Sequence, residues 1–329
     1  MTSTGTKSLR IYVDLGMTPE VGEMLRDATK GHELVFPQVP VSSVLAKAER
    51  DSQFATVDVA FGQPDPQAIE EASHLRWIHV SSSGITRYDN PEFRALMARR
   101  GILVTNSASV YDEACATHTL SFILAQARGL PLALKTRAAN GSEPWQNLRE
   151  SCMPLRGQTV LILGYGAIGK RLAEMLHPFE MNVLAYRRKA RGDEGVPVVT
   201  DDRLVLTLAT ADHVVDILPD STQTRHFFDA ARFAQIKHGA IFYNIGRGAT
   251  VDQNALVDAL RSGRLKAAWL DVTEPEPLPD DHPLWAEANC FITPHIAGGH
   301  TDETKTLVRH FLRNFERFVR EEELMDRVM

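Results

Sequence analysis

The 329-residue chain has little cysteine: Cys115, Cys152 and Cys290 are odd in number and far apart. That spacing excludes a disulfide framework and offers no close pair for a zinc site, so a reducing compartment and no bound metal are expected. An excess of one charge is also missing, since 36 Lys and Arg stand against 42 Asp and Glu, a net charge of −6 with no long run of either sign. Neither a nucleic-acid partner nor a polybasic membrane anchor is expected. No apolar stretch approaches the roughly 18 residues of a membrane span. The opening MTSTGTKSLRIYVDLG passes from a short polar lead into an apolar strand without a signal-peptide core, so a soluble, cytoplasmic protein is expected. With 21 glycines and 17 prolines against 43% hydrophobic residues, collagenous, low-complexity and disordered chains are excluded. At roughly 150 residues per domain, the length predicts two domains.

What the chain does have is alternation of short apolar runs and helical stretches. Strands are predicted at Ser8–Asp14, Leu34–Phe36, Val57–Phe61, Trp77–Val80 and Ile102–Thr105, with a helix over Pro19–Ala28, which implies a parallel α/β unit. A helix over Val110–Arg128 has few polar positions on any face and is expected to be buried on several sides, by a second subunit among others. A second series follows at Thr159–Leu163, Asn182–Tyr186, Val198–Val199, His213–Ile217, Ala240–Asn244, Ala267–Leu270 and Cys290–Ile292, a second doubly wound sheet. A last helix over Asp302–Glu323 places Leu307, Val308, Phe311, Leu312, Phe315, Phe318 and Val319 on one stripe.

Between the strand TVLIL and the helix Lys170–Leu176 lies Gly164-Tyr165-Gly166-Ala167-Ile168-Gly169. The hexapeptide alone is a weak signal. In this setting the first glycine makes the turn, the second lets backbone approach a pyrophosphate and the third allows close helix packing, which predicts a dinucleotide site. About 20 residues on, an NAD site would place an acidic residue to accept the ribose hydroxyls. Here the strand ends Tyr186-Arg187-Arg188-Lys189. Cations cannot accept from a ribose diol but can grip a 2′-phosphate, so NADP(H) is the expected cofactor, with NAD also possible.

Three further segments each follow a predicted strand: Asn244–Gly248, Asp271–Pro277 and Thr293–Gly299. Carboxyl ends of strands are where open α/β sheets bind ligands. Arg247, Glu276 and His295 on these loops are candidates for chemistry, with Glu274 a rival for the acidic role.

Together LILGYGAIGKRLAEMLHPF, ILPDSTQTRHFF, YNIGRGATVDQNALVDALRSGRLKAAWLDVTEPEPLP, and HPLW followed by FITPHIAGG resemble the D-isomer-specific 2-hydroxyacid dehydrogenases, over about Trp77 to Gly299. The resemblance implies an NAD(P)-dependent oxidoreductase, with a Rossmann nucleotide-binding domain over 108–298 inserted into a flavodoxin-like substrate domain formed by 1–107 and 299–329. It implies Arg247 as the substrate-binding arginine, Glu276 as the acidic partner, chosen over Glu274 by its register from Asp271, and His295 as the acid/base. Cofactor contacts are implied at Gly164, Gly166, Ala167, Ile168, Gly169, Arg187, Arg188, Leu218, Pro219, Thr224, Ile245 and Asp271. Substrate contacts are implied at Ser82, Ser83 and Gly84 as well as Arg247 and His295.

Chemistry supports these roles. A nascent alkoxide needs a proton donor that titrates near neutrality, a carboxylate on the other ring nitrogen favours imidazolium, and an arginine can bind a carboxylate and polarise a carbonyl. Two departures stand out: Thr117 precedes His118 where many relatives have an acidic residue, and Arg187 stands where an aspartate is usual. The expected reaction is reduction of a small 2-oxo acid, such as glyoxylate or hydroxypyruvate, to a D-2-hydroxy acid, by a homodimer paired through helix 110–128. A nucleotide-sensing, corepressor-like binding protein on the same fold is the alternative.

Overall fold

A computed structural model describes residues 8–38 and 50–329; the polar lead of residues 1–7 lies outside them. The chain divides into two compact units, one made of residues up to Tyr111 together with His300–Met329, the other of Asp112–Gly299.

In the first unit, the described strands are β1 (Arg10–Asp14), β2 (Glu33–Val35), β3 (Val59–Gly62), β4 (Trp77–Val80) and β5 (Leu103–Thr105), all parallel in the order β2-β1-β3-β4-β5. This is the flavodoxin-like order. Every residue of β3 and β4 is buried, which is why both read as unbroken apolar runs. The helix Pro19–Ala28 starts where Thr18 Oγ1 accepts from the Val21 amide and proline occupies the first turn, and it buries Val21 and Leu25.

The returning helix spans Glu303–Val319. Leu307, Val308, Phe311, Phe315 and Phe318 are buried, and the Phe311 ring stacks on Phe61 at 4.4 Å and Trp77 at 5.2 Å. The expected helix end at Glu323 is corrected. Glu321 adopts φ 57° and the Glu322 amide turns back to the Arg317 carbonyl at 2.9 Å, which closes the helix four residues early and leaves Val319 exposed. The same helix buries His310 and Asn314. Asn314 trades hydrogen bonds with the backbone of Met325, at 3.1 and 2.8 Å, and so fastens the chain's final segment.

The second unit holds β6 (Thr159–Leu163), β7 (Asn182–Tyr186), β8 (Val198–Val199), β9 (His213–Asp216), β10 (Ala240–Asn244), β11 (Leu265–Leu270) and β12 (Cys290–Ile292), parallel throughout, in the order β12-β11-β10-β9-β6-β7-β8. The order reverses at β6, the switch point where doubly wound sheets open a crevice. β11 begins two residues before the expected Ala267 because Leu265 already pairs with Ala240; the register then skips Lys266, whose exposed side chain interrupts the apolar run.

Candidate functional site

Six loops of the second unit leave the carboxyl ends of β6, β7, β9, β10, β11 and β12, and the site is built from these outward. After β6, Gly164 adopts φ +93°, and a Cβ there would stand 2.5 Å from the Ile217 carbonyl oxygen. A Cβ on Gly169 would meet the Gly164 carbonyl oxygen at 2.8 Å, whereas one on Gly166 would meet nothing within 4 Å. The first and third glycines therefore seat the turn against its neighbours, while the second faces open space. Helix Ala167–Leu176 starts directly from Gly166 without a side-chain cap, so its first-turn amides remain donors for an anion. These residues fit a dinucleotide's pyrophosphate. Ala167 and Ile168 are partly exposed on that turn.

After β7, Arg187 and Arg188 differ. Arg188 is exposed and donates to the Gln223 side-chain oxygen. Arg187 is largely covered and pairs with Glu194 at 3.1 Å. After β9, the Leu218 amide donates to Asp216 Oδ1 at 2.9 Å and the Thr224 hydroxyl donates to the Pro219 carbonyl at 2.5 Å, which folds this segment back upon itself.

The loop after β10 carries Arg247 between two glycines for a steric reason. A Cβ on Gly246 would lie 2.7 Å from the Leu218 carbonyl oxygen, and one on Gly248 would lie 2.0 Å from Thr273 backbone atoms. Only glycine lets this turn pass flush between the β9 and β11 loops. Asn244 Oδ1 accepts from the Gly246 amide at 2.9 Å and its Nδ2 donates to the Arg247 carbonyl at 3.0 Å. The Ile245 amide donates to the Asp216 carbonyl. Thr250 Oγ1 lies 2.5 Å from Asp216 Oδ2 and 2.7 Å from the Arg247 carbonyl oxygen. Arg247 Nη1 donates to the Gly246 carbonyl at 2.6 Å; its Nε and Nη2 meet no partner among the described residues. Burial pulls this guanidinium below its ordinary value, opposed by the charges of Glu276 and Asp220.

Asp271, at the end of β11, is buried, and its carboxylate organises the loop after β12. Oδ1 accepts from the Thr293 hydroxyl at 2.6 Å and the Ile296 amide at 2.9 Å, and Oδ2 accepts from the Ala297 amide at 2.8 Å. The Asp271 carbonyl accepts from the His295 amide at 2.8 Å. These bonds hold His295 at φ 52°, a left-handed conformation that costs a non-glycine residue about 1 kcal/mol or more. In that pose His295 Nδ1 is 2.7 Å from Glu276 Oε2, and Nε2 meets no partner among the described residues. Glu276 Oε1 accepts from the Thr273 amide at 3.0 Å. Burial alone would raise the Glu276 carboxyl, but the hydrogen bond and charge of His295, the Thr273 amide and the charge of Arg247 hold it below the ordinary glutamate range.

Glu274 is occupied elsewhere. Its carboxylate pairs with Arg225 at 2.8 Å, and Gln253 brackets its backbone, donating to the carbonyl at 2.6 Å and accepting from the amide at 3.0 Å.

In the first unit, the loop after β4 commits its oxygens. The Ser82 carbonyl accepts from the Ser107 amide at 3.0 Å, the Ser83 carbonyl from Asn106 Nδ2 at 2.6 Å, and the Gly84 carbonyl from the Ser82 hydroxyl at 2.6 Å. The amides of Ser82, Ser83 and Gly84 receive no partner among the described residues, and three consecutive free donors suit a carboxylate.

Asp216, Thr250, Glu194, Gln253 and His118 were not anticipated as site residues. His118 Nε2 lies 3.2 Å from Thr293 Oγ1 and 3.6 Å from Asp271 Oδ1, while burial lowers its pKa against the opposing charge of Asp271. Asp216 had a signal, being an acid inside the apolar run HVVDIL.

Residues 120–297 match the family model described as D-isomer specific 2-hydroxyacid dehydrogenase, NAD binding domain. The chain is 33% identical over 312 residues to a glyoxylate reductase of Aeropyrum pernix, covering 91% of this chain and 89% of that protein. It is 37% identical over 250 residues to a glyoxylate/hydroxypyruvate reductase B of Salmonella schwarzengrund, covering 72% of each. Among solved structures, an NADPH-dependent glyoxylate/hydroxypyruvate reductase from Sinorhizobium meliloti, in complex with NADP and malonate, superposes with a TM-score of 0.74 at 25% identity, covering 98% of this chain and 97% of that one.

Proposed function

The chain belongs to the D-isomer specific 2-hydroxyacid dehydrogenases, a family of NAD(P)-dependent oxidoreductases, and from that premise we propose that it reduces a small 2-oxo acid to the D-2-hydroxy acid with NADPH as the preferred cofactor. The observation that carries this reading is the His295–Glu276 pair, 2.7 Å apart, with the second imidazole nitrogen left open on the same sheet edge as Arg247 and the glycine turn.

Gly164, Gly166 and Gly169 with the amides of Ala167 and Ile168 would hold the pyrophosphate, Arg188 and Arg187 the 2′-phosphate, and the Leu218–Thr224 segment and Ile245 the nicotinamide half. Bound there, the dinucleotide supplies the hydride. His295 holds a proton on Nε2 and delivers it to the carbonyl oxygen as that oxygen gains charge. Glu276, kept ionised, steadies the positive ring through Nδ1 and fixes its plane. Arg247 offers its free Nε and Nη2 to the substrate's carboxylate and carbonyl, a charge-assisted contact strengthened by burial. Asp271 keeps the His295 loop in its left-handed turn. The free amides of Ser82, Ser83 and Gly84 take the substrate carboxylate. Glyoxylate and hydroxypyruvate suit the family relatives' activities. The second unit is then the nucleotide-binding domain, the first the substrate domain, and helix Ala108–Ala127 with the exposed Leu130, Leu132 and Leu134 beyond it forms the face of a homodimer.

The test is a reduction screen of 2-oxo acids of graded size with NADPH and NADH, with chiral analysis of the product and sedimentation of the protein. Turnover of small acids with NADPH favoured, a D product and a dimer are expected. A preference for NADH, an L product or a monomer at micromolar concentration would each remove one part. Dinucleotide binding without turnover of any 2-oxo acid would favour a nucleotide-sensing protein instead.

A further inference from the structure

The loop after β7 is folded around a carboxylate. Glu194 stands between Gly192 and Gly195, whose φ values of 88° and 71° turn the chain in a way side chains oppose. Its side chain is 3% exposed. Oε1 accepts from the Arg191 amide at 2.7 Å and from Arg187 Nη1 at 3.1 Å, and Oε2 accepts from the Gly192 amide at 2.9 Å. The Glu194 carbonyl accepts from the Tyr165 hydroxyl at 3.1 Å, which ties this loop to the glycine turn. One guanidinium and two successive amides converging on a covered anion form the donor set with which proteins hold a phosphate.

We infer that Glu194 is an internal occupant of an anion seat built by Arg187 and the amides of Arg191 and Gly192, and that it thereby limits how strongly the chain favours a 2′-phosphorylated dinucleotide over its unphosphorylated counterpart. This rests on the reading above that the adenosine ribose lies at the end of β7. A phosphate approaching Arg187 meets a guanidinium whose charge is already offset. It must displace Glu194 or rely on Arg188, whose partner Gln223 is neutral, and on Lys189. Hydrogen bonds from the Arg191 amide first, then from Gly192 and Arg187, hold the Glu194 carboxyl below the ordinary glutamate range, so the occupant stays charged at neutral pH. Three consecutive cations overstate the positive charge available here.

The test compares 5′-AMP with 2′,5′-ADP, which differ by the 2′-phosphate alone, through calorimetric Kd values for the wild type, Glu194→Gln and Arg187→Ala/Glu194→Gln. Glutamine keeps the length and one acceptor oxygen but removes the charge. The preference for 2′,5′-ADP should rise about tenfold or more in Glu194→Gln, as expected for lifting one neighbouring charge, and fall to the wild-type level or below in the double variant. An unchanged or smaller preference in Glu194→Gln overturns the inference. Should that variant lose its loop structure, a crystal structure of the wild type with 2′,5′-ADP decides. An opened Arg187–Glu194 pair, or a phosphate held by Arg188 with that pair intact, supports the inference, and a phosphate on Arg187 beside an intact pair overturns it. A wild type without preference whose Glu194→Gln variant gains one removes the NADPH assignment alone. A strong preference unaltered in Glu194→Gln removes this inference alone, and failure of 5′-AMP to bind any variant removes both.

Discussion

Two histidine–carboxylate pairs sit in the two units and do different things. In the second unit His295 Nδ1 lies 2.7 Å from Glu276, and the two side chains are 28% and 23% exposed. In the first, His310 Nε2 lies 3.2 Å from Asp326, at 4% and 19% exposure. Asp326 also accepts from the Ser109 hydroxyl at 2.6 Å and amide at 3.0 Å, and the His310 ring packs 5.2 Å from that of His79. The functional groups are the same. What differs is access: the His295 ring stands partly exposed while the His310 ring is almost fully buried, and only a ring that another molecule can reach passes it a proton. Pairing a histidine with an acid therefore does not mark an acid/base; a reachable ring does.

The sharpest way to break this comparison is to remove each imidazole. His295→Asn should cut 2-oxo acid reduction by about 10²–10⁴-fold, the range for acid–base catalysis, with the melting temperature unchanged. His310→Ala should keep kcat/KM within about twofold yet lose about 2–3 kcal/mol of unfolding free energy, the usual effect of emptying a buried site. Denaturant titrations beside initial rates check both, and a catalytic loss from His310→Ala at unaltered stability would end the distinction.

Next in size is the carboxylate of the open pair. Because Glu276 is held below the ordinary glutamate range, it stays charged through neutral pH and favours the protonated ring. Glu276→Gln should therefore move the alkaline limit of reductive activity down by about one pH unit. A rate profile superimposable on the wild type, or the same shift from Glu274→Gln, would misplace the acidic partner.

The smallest effect belongs to the closed pair. Burial would raise Asp326, but the close contact with His310 and the hydrogen bonds from the Ser109 hydroxyl and amide hold it below the ordinary aspartate range. A depressed folded-state pKa stabilises above the unfolded value and is lost as pH falls through the folded one. Asp326→Asn should thus cost about 1 kcal/mol at pH 7, the gap to wild type narrowing below about pH 4. Urea midpoints at pH 7 and pH 3 would show it, and a constant gap would speak against a charged Asp326.

Most of the architecture was legible because its signals are local. β4, β6, β7, β8, β10 and β12 span the expected residues, since apolar runs bounded by turn residues locate buried parallel strands. Helix Glu303–Val319 was overrun because Arg320, Glu321, Glu322 and Glu323 are all good helix formers, and nothing in them tells that Glu321 turns the backbone left-handed. Arg247, Glu276 and His295 were visible as polar residues on strand-end loops. Glu194 was not, because nothing in GDEGV tells that its carboxylate folds back onto Arg187 and two amides. Thr250 and His118 were hidden because the side chains they meet lie far off in sequence, Asp216 being 34 residues from Thr250 and Thr293 being 175 from His118.

The Thr250 hydroxyl owns a single hydrogen, yet its oxygen stands 2.5 Å from Asp216 and 2.7 Å from the Arg247 carbonyl. Two oxygen–oxygen contacts that short need two hydrogens. The second one belongs on Asp216: the neutral carboxyl donates to Thr250, which donates onward to the Arg247 carbonyl. Burial pushes Asp216 up to about 7, which agrees with that count. The arginine turn thus hangs on a hydrogen that departs near neutrality. The folded chain keeps this proton where the unfolded chain releases it, so stability should decline as pH rises from the ordinary aspartate value toward 7 and level off beyond.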